Sequence, residues 1–311
     1  MDTATVGRFE ANRDRLASIA YRLLGSAADA EDVVQESFIR WQAADRTHIK
    51  VPEAWLTKVV SNLSVDRLRS AKERHERAVG AWLPEPLLDG DPMLGPADTA
   101  VQRESVTLAM LTLMERLSPM ERAVYVLREA FSHSHGEVAE ILDITESASQ
   151  QHALRARRHL ASERTATEVD ADSARRIVEA FVAASASGRT EPLVSLLADD
   201  VTAVSDGAGL SAKLLHFAGA KKVSAMLRAG FKPTRAKHEL LGGTPSVFAG
   251  TVNGSPAMIV GFEDRVVGVV VLDVVGDEIT TVRGMASQAR LHRVSEEWRR
   301  RDHGPPIIES W

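Results

Sequence analysis

Amide and guanidinium side chains recur on one side of the stretch from Glu146 to Leu160. Amides pair with adenine in the major groove of DNA, and guanidiniums pair with guanine or with phosphate. At helical spacing, the opposite side of this stretch is small or apolar. The side with DNA-binding chemistry carries Leu154 and five candidates for base and phosphate contacts: Ser147, Gln150, Gln151, Arg155 and Arg158. We therefore predict a helix that reads DNA, although a helical hairpin with a solvated basic face fits the same pattern.

A tight turn and further helices are predicted ahead of this one. Ser134 and Glu137 have the spacing of a capping box, which starts a helix before an apolar face. Asp143 is expected to adopt a left-handed conformation in the turn, and Thr145 can cap the reading helix. Ser118, followed by proline, opens a support helix, and the amphipathic stretch 101–117 before it predicts another. The sequence therefore predicts a helix-turn-helix behind supporting helices.

An acidic turn and a Trp-Leu string mark a second set of candidates. From residue 29 the chain has an acidic first turn before an apolar stripe, which alone is typical of helix capping and a solvated face. From Trp55 to Arg69 it reads Trp-Leu-x-x-Val-x-x-Asn-x-x-x-Asp-x-x-Arg without a helix breaker. Together these stretches resemble the second region of extracytoplasmic-function (ECF) sigma factors. The support helix and helix-turn-helix, over 109–160, resemble the promoter-reading fourth region of bacterial sigma factors.

The resemblance implies two partners, core RNA polymerase through its clamp and flap, and promoter DNA. The positions that match the clamp-binding helix of the family are Asp29, Asp32, Gln35 and Glu36. The next helix separates the strands of the −10 element, and its candidates here are Trp55, Asn62, Arg67, Arg69, Lys72 and Arg74. Trp55 also fits a core position, because Val59 stands one helical turn away. The five candidates on the reading helix would contact the −35 element.

A linker is predicted over residues 80–100, where prolines and glycines are frequent. It contains the extended, polyproline-like string Trp82, Leu83, Pro84, Glu85 and Pro86, which suggests a docking peptide with an aromatic anchor. The same string is typical of the ECF subgroup with an additional C-terminal domain. We therefore expect it to dock between domains.

The remaining chain predicts an α+β domain, because helices are followed by a run of Val- and Ile-rich strands. One strand is expected over 239–248. The order of elements resembles the SnoaL-like, NTF2-like cone. A cavity in such a cone would involve Asp206, His216 and His238, and Asp273 is a further ionisable residue. Each of them is more often structural than catalytic, and no pair has a spacing that favours acid–base chemistry.

Composition excludes several classes of protein. The chain has 311 residues, enough for more than one domain, and its net charge of −5 argues against indiscriminate binding to polyanions. Because it has no cysteine, disulfides, cysteine-ligated zinc and thiol nucleophiles are excluded. There is no apolar run of the ~20 residues that span a bilayer. We expect a cytoplasmic protein with no cofactor, no metal and no membrane contact.

The predicted architecture is multidomain, with two all-α sigma domains followed by an α+β cone. The expected boundaries are 1–79 for region 2, 80–100 for the linker, 101–163 for region 4, 170–295 for the cone and 296–311 for a tail. The predicted function is that of an alternative sigma factor, not an enzyme, whose cone modulates activity and responds to a small-molecule or protein regulator. The alternatives are a DNA-binding module fused to an NTF2-like enzyme, and a ligand-sensing repressor.

Overall fold

Two compact units make up the chain. The computed structural model describes residues 3–75, 82–161, 170–209, 213–232, 234–235, 238–239 and 243–311, without the side chains of residues 4, 71–75 and 171. The helical unit comprises Met1–Val79 and Gly90–Glu163, and the sheet unit comprises Gly80–Asp89 and Arg164–Trp311. The stretch 80–100, predicted as a linker, is therefore divided between the two units.

The helical unit consists of helices joined by short connections. In chain order they are α1 (Thr3–Glu10), α2 (Arg13–Leu24), α3 (Ala27–Ala43), α4 (Pro52–His75), α5 (Ala100–Glu104), α6 (Leu108–Leu113), α7 (Pro119–Tyr125), α8 (His135–Leu142) and α9 (Glu146–Leu160). The helix expected over 101–117 is replaced by α5, α6 and a 3-10 turn. Its interruption has a local cause, because the Thr107 hydroxyl accepts a hydrogen bond from the Met110 amide at 3.2 Å and starts a new helix.

Both predicted helix starts in the second half of the helical unit are confirmed. The Ser134 hydroxyl accepts from the Glu137 amide at 3.2 Å, and the Glu137 carboxylate accepts from the Ser134 amide at 2.6 Å. Ser118 and Glu121 form the same reciprocal pair at the start of α7. Asp143 ends α8 with φ +53°, in the left-handed region that the sequence predicts for it. The helix-turn-helix therefore forms as expected from its capping residues.

A buried arginine joins the two halves of the helical unit. Arg22 of α2 is fully buried and donates to the Ser105 hydroxyl at 2.9 Å, while its guanidinium lies 5.3 Å from the centroid of the Phe131 ring. Burial lowers the pKa of Arg22 to about 10, so the group remains a cation at neutral pH. Its partners are neutral oxygens and a π face, which offset part of the cost of desolvating the charge.

The sheet unit is a mixed six-stranded sheet packed against helices, which confirms the α+β prediction. Its helices are α10 (Ala171–Ala186), α11 (Glu191–Val194), α12 (Ala220–Phe231) and α13 (Gln288–Arg299). Its strands are β1 (Leu197–Ser205), β2 (Leu215–Ala218), β3 (Ser246–Val252), β4 (Ser255–Phe262), β5 (Arg265–Val275) and β6 (Glu278–Met285). The strand order is β2-β1-β6-β5-β4-β3, parallel only between β1 and β6. Apolar residues of α10 and α12 form the core with the sheet.

Three details of the sheet unit differ from the sequence expectation. The strand expected over 239–248 instead begins at Ser246, directly after Pro245, which cannot donate to a strand ladder. The sequence did not predict α13. The stretch 296–311, expected to be a separate tail, belongs to this unit: Trp298 is buried, and Ile308 pairs with Val247 of β3.

Candidate nucleic-acid and polymerase interface

The reading face of α9 consists of exposed polar side chains. The five residues predicted to contact DNA lie on it, and all are exposed: Ser147, Gln150, Gln151, Arg155 and Arg158. The opposite side buries Ser149, Ala153 and Ala156 against the rest of the helical unit. Small side chains there let α9 pack closely, and the Thr145 hydroxyl caps its first turn by accepting from the Ala148 amide at 3.1 Å.

The arginines of α9 differ in their partners. Arg155 lies 3.2 Å from a carboxylate oxygen of Glu121, and Arg157 lies 2.6 Å from Glu129. Arg158 forms no ion pair with any residue that the structure describes. Leu154, which we did not count among the site residues, is 50% exposed on the reading face between the glutamines and Arg158. Its position on the same side of α9 as those residues was the sequence signal that could have identified it.

The acidic residues of α3 are available at the surface. Asp32, Gln35 and Glu36 are exposed, and Asp29 is half-buried. Two cations lie among them: Arg67 of α4 contacts Asp29 at 2.9 Å and Asp32 at 2.8 Å, and Arg40 of α3 contacts Glu36 at 2.7 Å. The structure therefore brings together residues to which the sequence resemblance gave different partners, polymerase for the aspartates and DNA for Arg67.

The side chains on the middle of α4 contact the end of α8. The Asn62 amide group donates to the Ile141 carbonyl at 2.9 Å. The Lys58 ammonium donates to the Glu140 carbonyl at 3.1 Å and pairs with the Asp143 carboxylate. These carbonyls belong to the last turn of α8, whose acceptors have no partner within their own helix and which favours a nearby cation. Helix α4 thus supplies a cap for the helix-turn-helix.

The other candidates on α4 have different surroundings. Trp55 is half-buried, and its ring lies 5.6 Å from that of Trp41, so it combines a packing contact with partial exposure. Arg69 is exposed and lies 3.2 Å from Asp66. Lys72 and Arg74 lie on the last turns of α4, and their side chains are outside the described part of the structure.

The proline-rich string packs on the sheet unit. Leu83, Pro84 and Pro86 are buried, whereas Trp82 and Glu85 are half-buried. The backbone that follows pairs with the β3–β4 turn. Leu87 donates to the Asn253 side-chain oxygen at 2.8 Å and accepts from the Asn253 amide at 3.0 Å. We call residues 82–89 the docked segment.

The three residues expected in a cavity of the cone do not line the apolar cavity of the sheet unit. The buried Asp206 carboxylate accepts from the amides of Ala208, Ala286 and Ser287, each at 3.0 Å, and therefore ties loops together. His216 is exposed on β2, and the His238 Nε2 atom lies 3.0 Å from the Trp311 carbonyl oxygen. The cavity is apolar instead, and its walls come from the sheet and α12.

Ionisable groups elsewhere in the sheet unit are also engaged. Asp273 forms a buried ion pair with Arg283 on the neighbouring strand. Among the described residues, no cluster of His, Cys, Asp and Glu has an arrangement suited to a metal ion. No helix in the described ranges is both long and apolar enough to cross a membrane.

Comparison with known proteins matches the helical unit to two families. Sigma-70 region 2 matches residues 8–74, which contain α2, α3 and most of α4. Sigma-70, region 4 matches residues 107–160, which contain the support helix and the helix-turn-helix. The two matches therefore cover the two halves that Arg22 joins.

Similarity to individual proteins extends into the sheet unit. The ECF RNA polymerase sigma factor SigJ of Mycobacterium tuberculosis is 43% identical over 205 residues, which is 66% of this chain and 65% of that relative's length. The probable ECF RNA polymerase sigma factor SigI of the same species is 31% identical over 294 residues, 93% of this chain and 95% of that protein. The crystal structure of M. tuberculosis SigJ superposes with a TM-score of 0.70 at 31% identity, covering 93% of this chain and 98% of that one.

Proposed function

This chain belongs to the ECF RNA polymerase sigma factors, and we propose which of its surfaces carry out the steps of transcription initiation. The family consists of transcription factors that bind RNA polymerase and give it promoter specificity. We assign the −35 element to the reading face of α9. One observation carries this assignment: the polar side chains of α9 are exposed while its small ones are buried. This leaves the amide groups of Gln150 and Gln151 and the guanidinium of Arg158 facing solvent, where they can meet base edges.

We assign the polymerase clamp to the acidic residues of α3, and the polymerase flap to the region-4 half of the helical unit. Asp32 and Glu36 are exposed on successive turns of α3, where a basic partner can reach both. The assignment faces a competing explanation, since Asp32 also pairs with Arg67 and Glu36 with Arg40. Substitution of Asp32 would disturb α4 even without any polymerase contact.

Binding to core RNA polymerase separates these explanations. We expect Asp32→Asn combined with Glu36→Gln to weaken binding of the full chain to core enzyme. The matched control is Arg67→Ala combined with Arg40→Ala, which breaks the ion pairs of both carboxylates but leaves the carboxylates in place, and it should retain binding. Equal losses in both variants would mean that these ion pairs, not the carboxylates themselves, matter for binding. Unchanged binding in the double variant would remove the clamp assignment.

We assign the −10 element to α4, with Asn62 as the base-contacting candidate and Arg67, Arg69, Lys72 and Arg74 along the backbone path. Trp55 is half-exposed and can add a stacking surface. Melting of the −10 duplex costs a few kcal/mol per unstacked base step. A pocket for the unstacked base and contacts to the DNA backbone can offset this cost. Run-off transcription by core enzyme with Asn62→Ala should fall on duplex promoters and recover on templates already open at −10. Equal loss on both templates would argue against a role in strand separation.

We propose that the sheet unit modulates promoter use through the docked segment rather than by catalysis. The support is that Asp206 and Asp273 are engaged in structural contacts, and that Asn253 fixes the segment by two hydrogen bonds. Asn253→Gly keeps the left-handed backbone, at φ +52°, but removes the side-chain acceptor. Glu263→Gly is the matched control, with φ +53° in the turn of the next hairpin. Transcription should change with Asn253→Gly and not with Glu263→Gly. Equal effects of the two substitutions would contradict the proposal.

A further inference from the structure

The sheet unit contains a cavity of about 280 Å³ with an apolar wall. Its lining comes from β1, β4, β5 and β6, from α12, and from Trp311. An engineered cavity of roughly 150 Å³ in another protein takes up benzene, so this one has room for about eleven carbon atoms by proportion. A fused bicyclic ring fits that volume, whereas a nucleotide or a peptide is too large and too polar.

The residues that line the cavity disfavour a charged ligand. None of the described residues that line the cavity has an ionisable side chain. The polar groups nearest to the wall already have partners: the Ser205 hydroxyl accepts from the Gly207 amide at 3.1 Å, and the Asp206 carboxylate binds three backbone amides. A charged ligand would lose its hydration without gaining a counter-ion, which costs several kcal/mol.

Adaptable and aromatic side chains supply the contact surface. Met226, Met258 and Met285 line the cavity, and thioether side chains adjust readily to flat or irregular apolar ligands. Trp311 forms one wall, held by its indole N–H, which donates to the Phe231 carbonyl at 2.9 Å, and by its backbone amide, which donates to the Pro245 carbonyl at 2.9 Å. The Phe231 and Trp311 rings lie 5.7 Å apart, a separation typical of packed aromatic pairs.

We propose that this cavity is a binding site for an uncharged, largely apolar molecule about the size of a fused bicyclic ring. The site lies among the methionines and Trp311 rather than at Asp206, His216 and His238. It is independent of how the helical unit binds polymerase and DNA, because all of its described lining residues belong to the sheet unit.

Methionine methyl NMR on the full chain tests the proposal with naphthalene as the probe. Every methionine of the sheet unit lines the cavity, and the remaining ones, among them Met93 and Met110, belong to the helical unit. We expect naphthalene to shift the resonances of Met226, Met258 and Met285 in a saturable way and to leave the others unmoved. The charged analogue 1-naphthoate should bind at least about tenfold more weakly.

A glycine pair provides the matched variants. Gly230 lines the cavity, and a Cβ atom there meets open space, so Gly230→Leu fills the site without forcing its neighbours apart. Gly7 of α1 is an equally unobstructed helical glycine outside the sheet unit. We expect Gly230→Leu to raise the dissociation constant of naphthalene about tenfold, from the volume lost to the ligand. Gly7→Leu should leave it unchanged.

The outcomes are distinguishable. Unmoved resonances of Met93 and Met110 and an unchanged melting temperature verify that Gly230→Leu is folded, and Met226→Trp is a second filling variant if it is not. The proposal is overturned if naphthalene produces no saturable shift at the three cavity methionines, if a folded filling variant binds as tightly as the parent, or if 1-naphthoate binds equally well. These results do not depend on the assignment of promoter contacts.

Discussion

The reading face of α9 and the corresponding side of α4 differ in where their polar groups point. On α9, Ser147, Gln150 and Gln151 are exposed to solvent. On α4, Asn62 donates to a carbonyl of α8, and Arg67 is held by two aspartates of α3. Apart from Arg155, which pairs with Glu121, the −35 surface is therefore ready to meet DNA, whereas the −10 surface must first give up contacts within the helical unit.

The contacts that occupy α4 are weak enough to be exchanged. A hydrogen bond contributes about 0.5–1.5 kcal/mol, and a surface ion pair contributes about 0.2–1 kcal/mol. Micromolar binding to a partner corresponds to about −8 kcal/mol. Association with polymerase and promoter can therefore displace Asn62 and Lys58 from the end of α8. A free form in which α4 contacts the end of α8 is therefore compatible with activity in the complex.

The strongest expected effect concerns the two neighbouring arginines of α9. Arg158→Ala should weaken promoter binding by the polymerase complex about tenfold, because a guanidinium contact to a base is worth about 1–3 kcal/mol. Arg157→Ala is the control, since Arg157 is held by Glu129 at 2.6 Å. Affinities measured on duplexes selected from a randomised −35 region will test this. Equal losses would mean that the exposed face of α9 is not the surface that reads DNA.

Leu154 should add a smaller, base-specific contribution. An exposed leucine among amides suits the methyl group of thymine, and one buried CH₂ is worth about 0.8 kcal/mol, or about fourfold in affinity. Replacing the contacted thymine by uracil removes only that methyl group. The replacement should weaken binding about fourfold with the parent chain and have no effect with Leu154→Ala. If uracil has the same effect on both proteins, Leu154 does not contact a thymine.

Local sequence signals predicted the helical unit well, because its helices start at self-contained caps. The Ser134 and Ser118 boxes and the left-handed Asp143 depend on neighbours within a few residues, so sequence alone identifies them. The α+β class of the sheet unit followed from the Val- and Ile-rich strands in the same way. The residues assigned to polymerase and DNA stay predictions, since exposure and spacing do not identify a partner.

Long-range partners were beyond sequence reasoning. Nothing local indicates that Asn62 meets a carbonyl 79 positions away, or that Leu87 pairs with Asn253, 166 positions away. The partners of Asp206 were equally unpredictable from sequence, because its carboxylate accepts hydrogen bonds from the backbone amides of residues 286 and 287, about 80 positions away. An ionisable residue in a strand-rich domain has the same sequence signature whether it is catalytic or structural.

The Lys58–Asp143 pair should have only a modest effect on the release of α4 from the end of α8. Both side chains are partly exposed, so the pair is worth about 0.5 kcal/mol. Its loss should shift the equilibrium between α4 in contact with α8 and α4 released from it about twofold toward release. Asp143→Asn removes the charge and preserves a residue that tolerates the left-handed conformation. We expect a slightly faster open-complex formation than with the parent chain. In a double-mutant cycle, Asp143→Asn should have no further effect once Lys58 is replaced by alanine, whereas Lys58→Ala also removes the bond to the Glu140 carbonyl. Additive effects would contradict a direct coupling.

Acid should slightly weaken the packing between the two halves of the helical unit through protonation of His133. Burial first, and the nearby Arg15 second, lower the pKa of His133 from its usual 6.5, against the opposing pull of Glu137. The Arg15 guanidinium lies 3.0 Å from the His133 Nε2 atom. Because the folded-state pKa lies below the unfolded one, the unfolded chain takes up the proton more readily. The contribution to stability is therefore complete above about pH 6.5 and decreases as the pH falls below it.

His133→Gln keeps a neutral acceptor for Arg15 but cannot titrate. The free energy of unfolding of the parent chain should decrease more than that of the variant between about pH 7.5 and pH 5.5. If both proteins lose stability in parallel, His133 does not carry this pH dependence. In that case the contact of Arg15 with His133 does not make the junction between the two halves of the helical unit sensitive to acid.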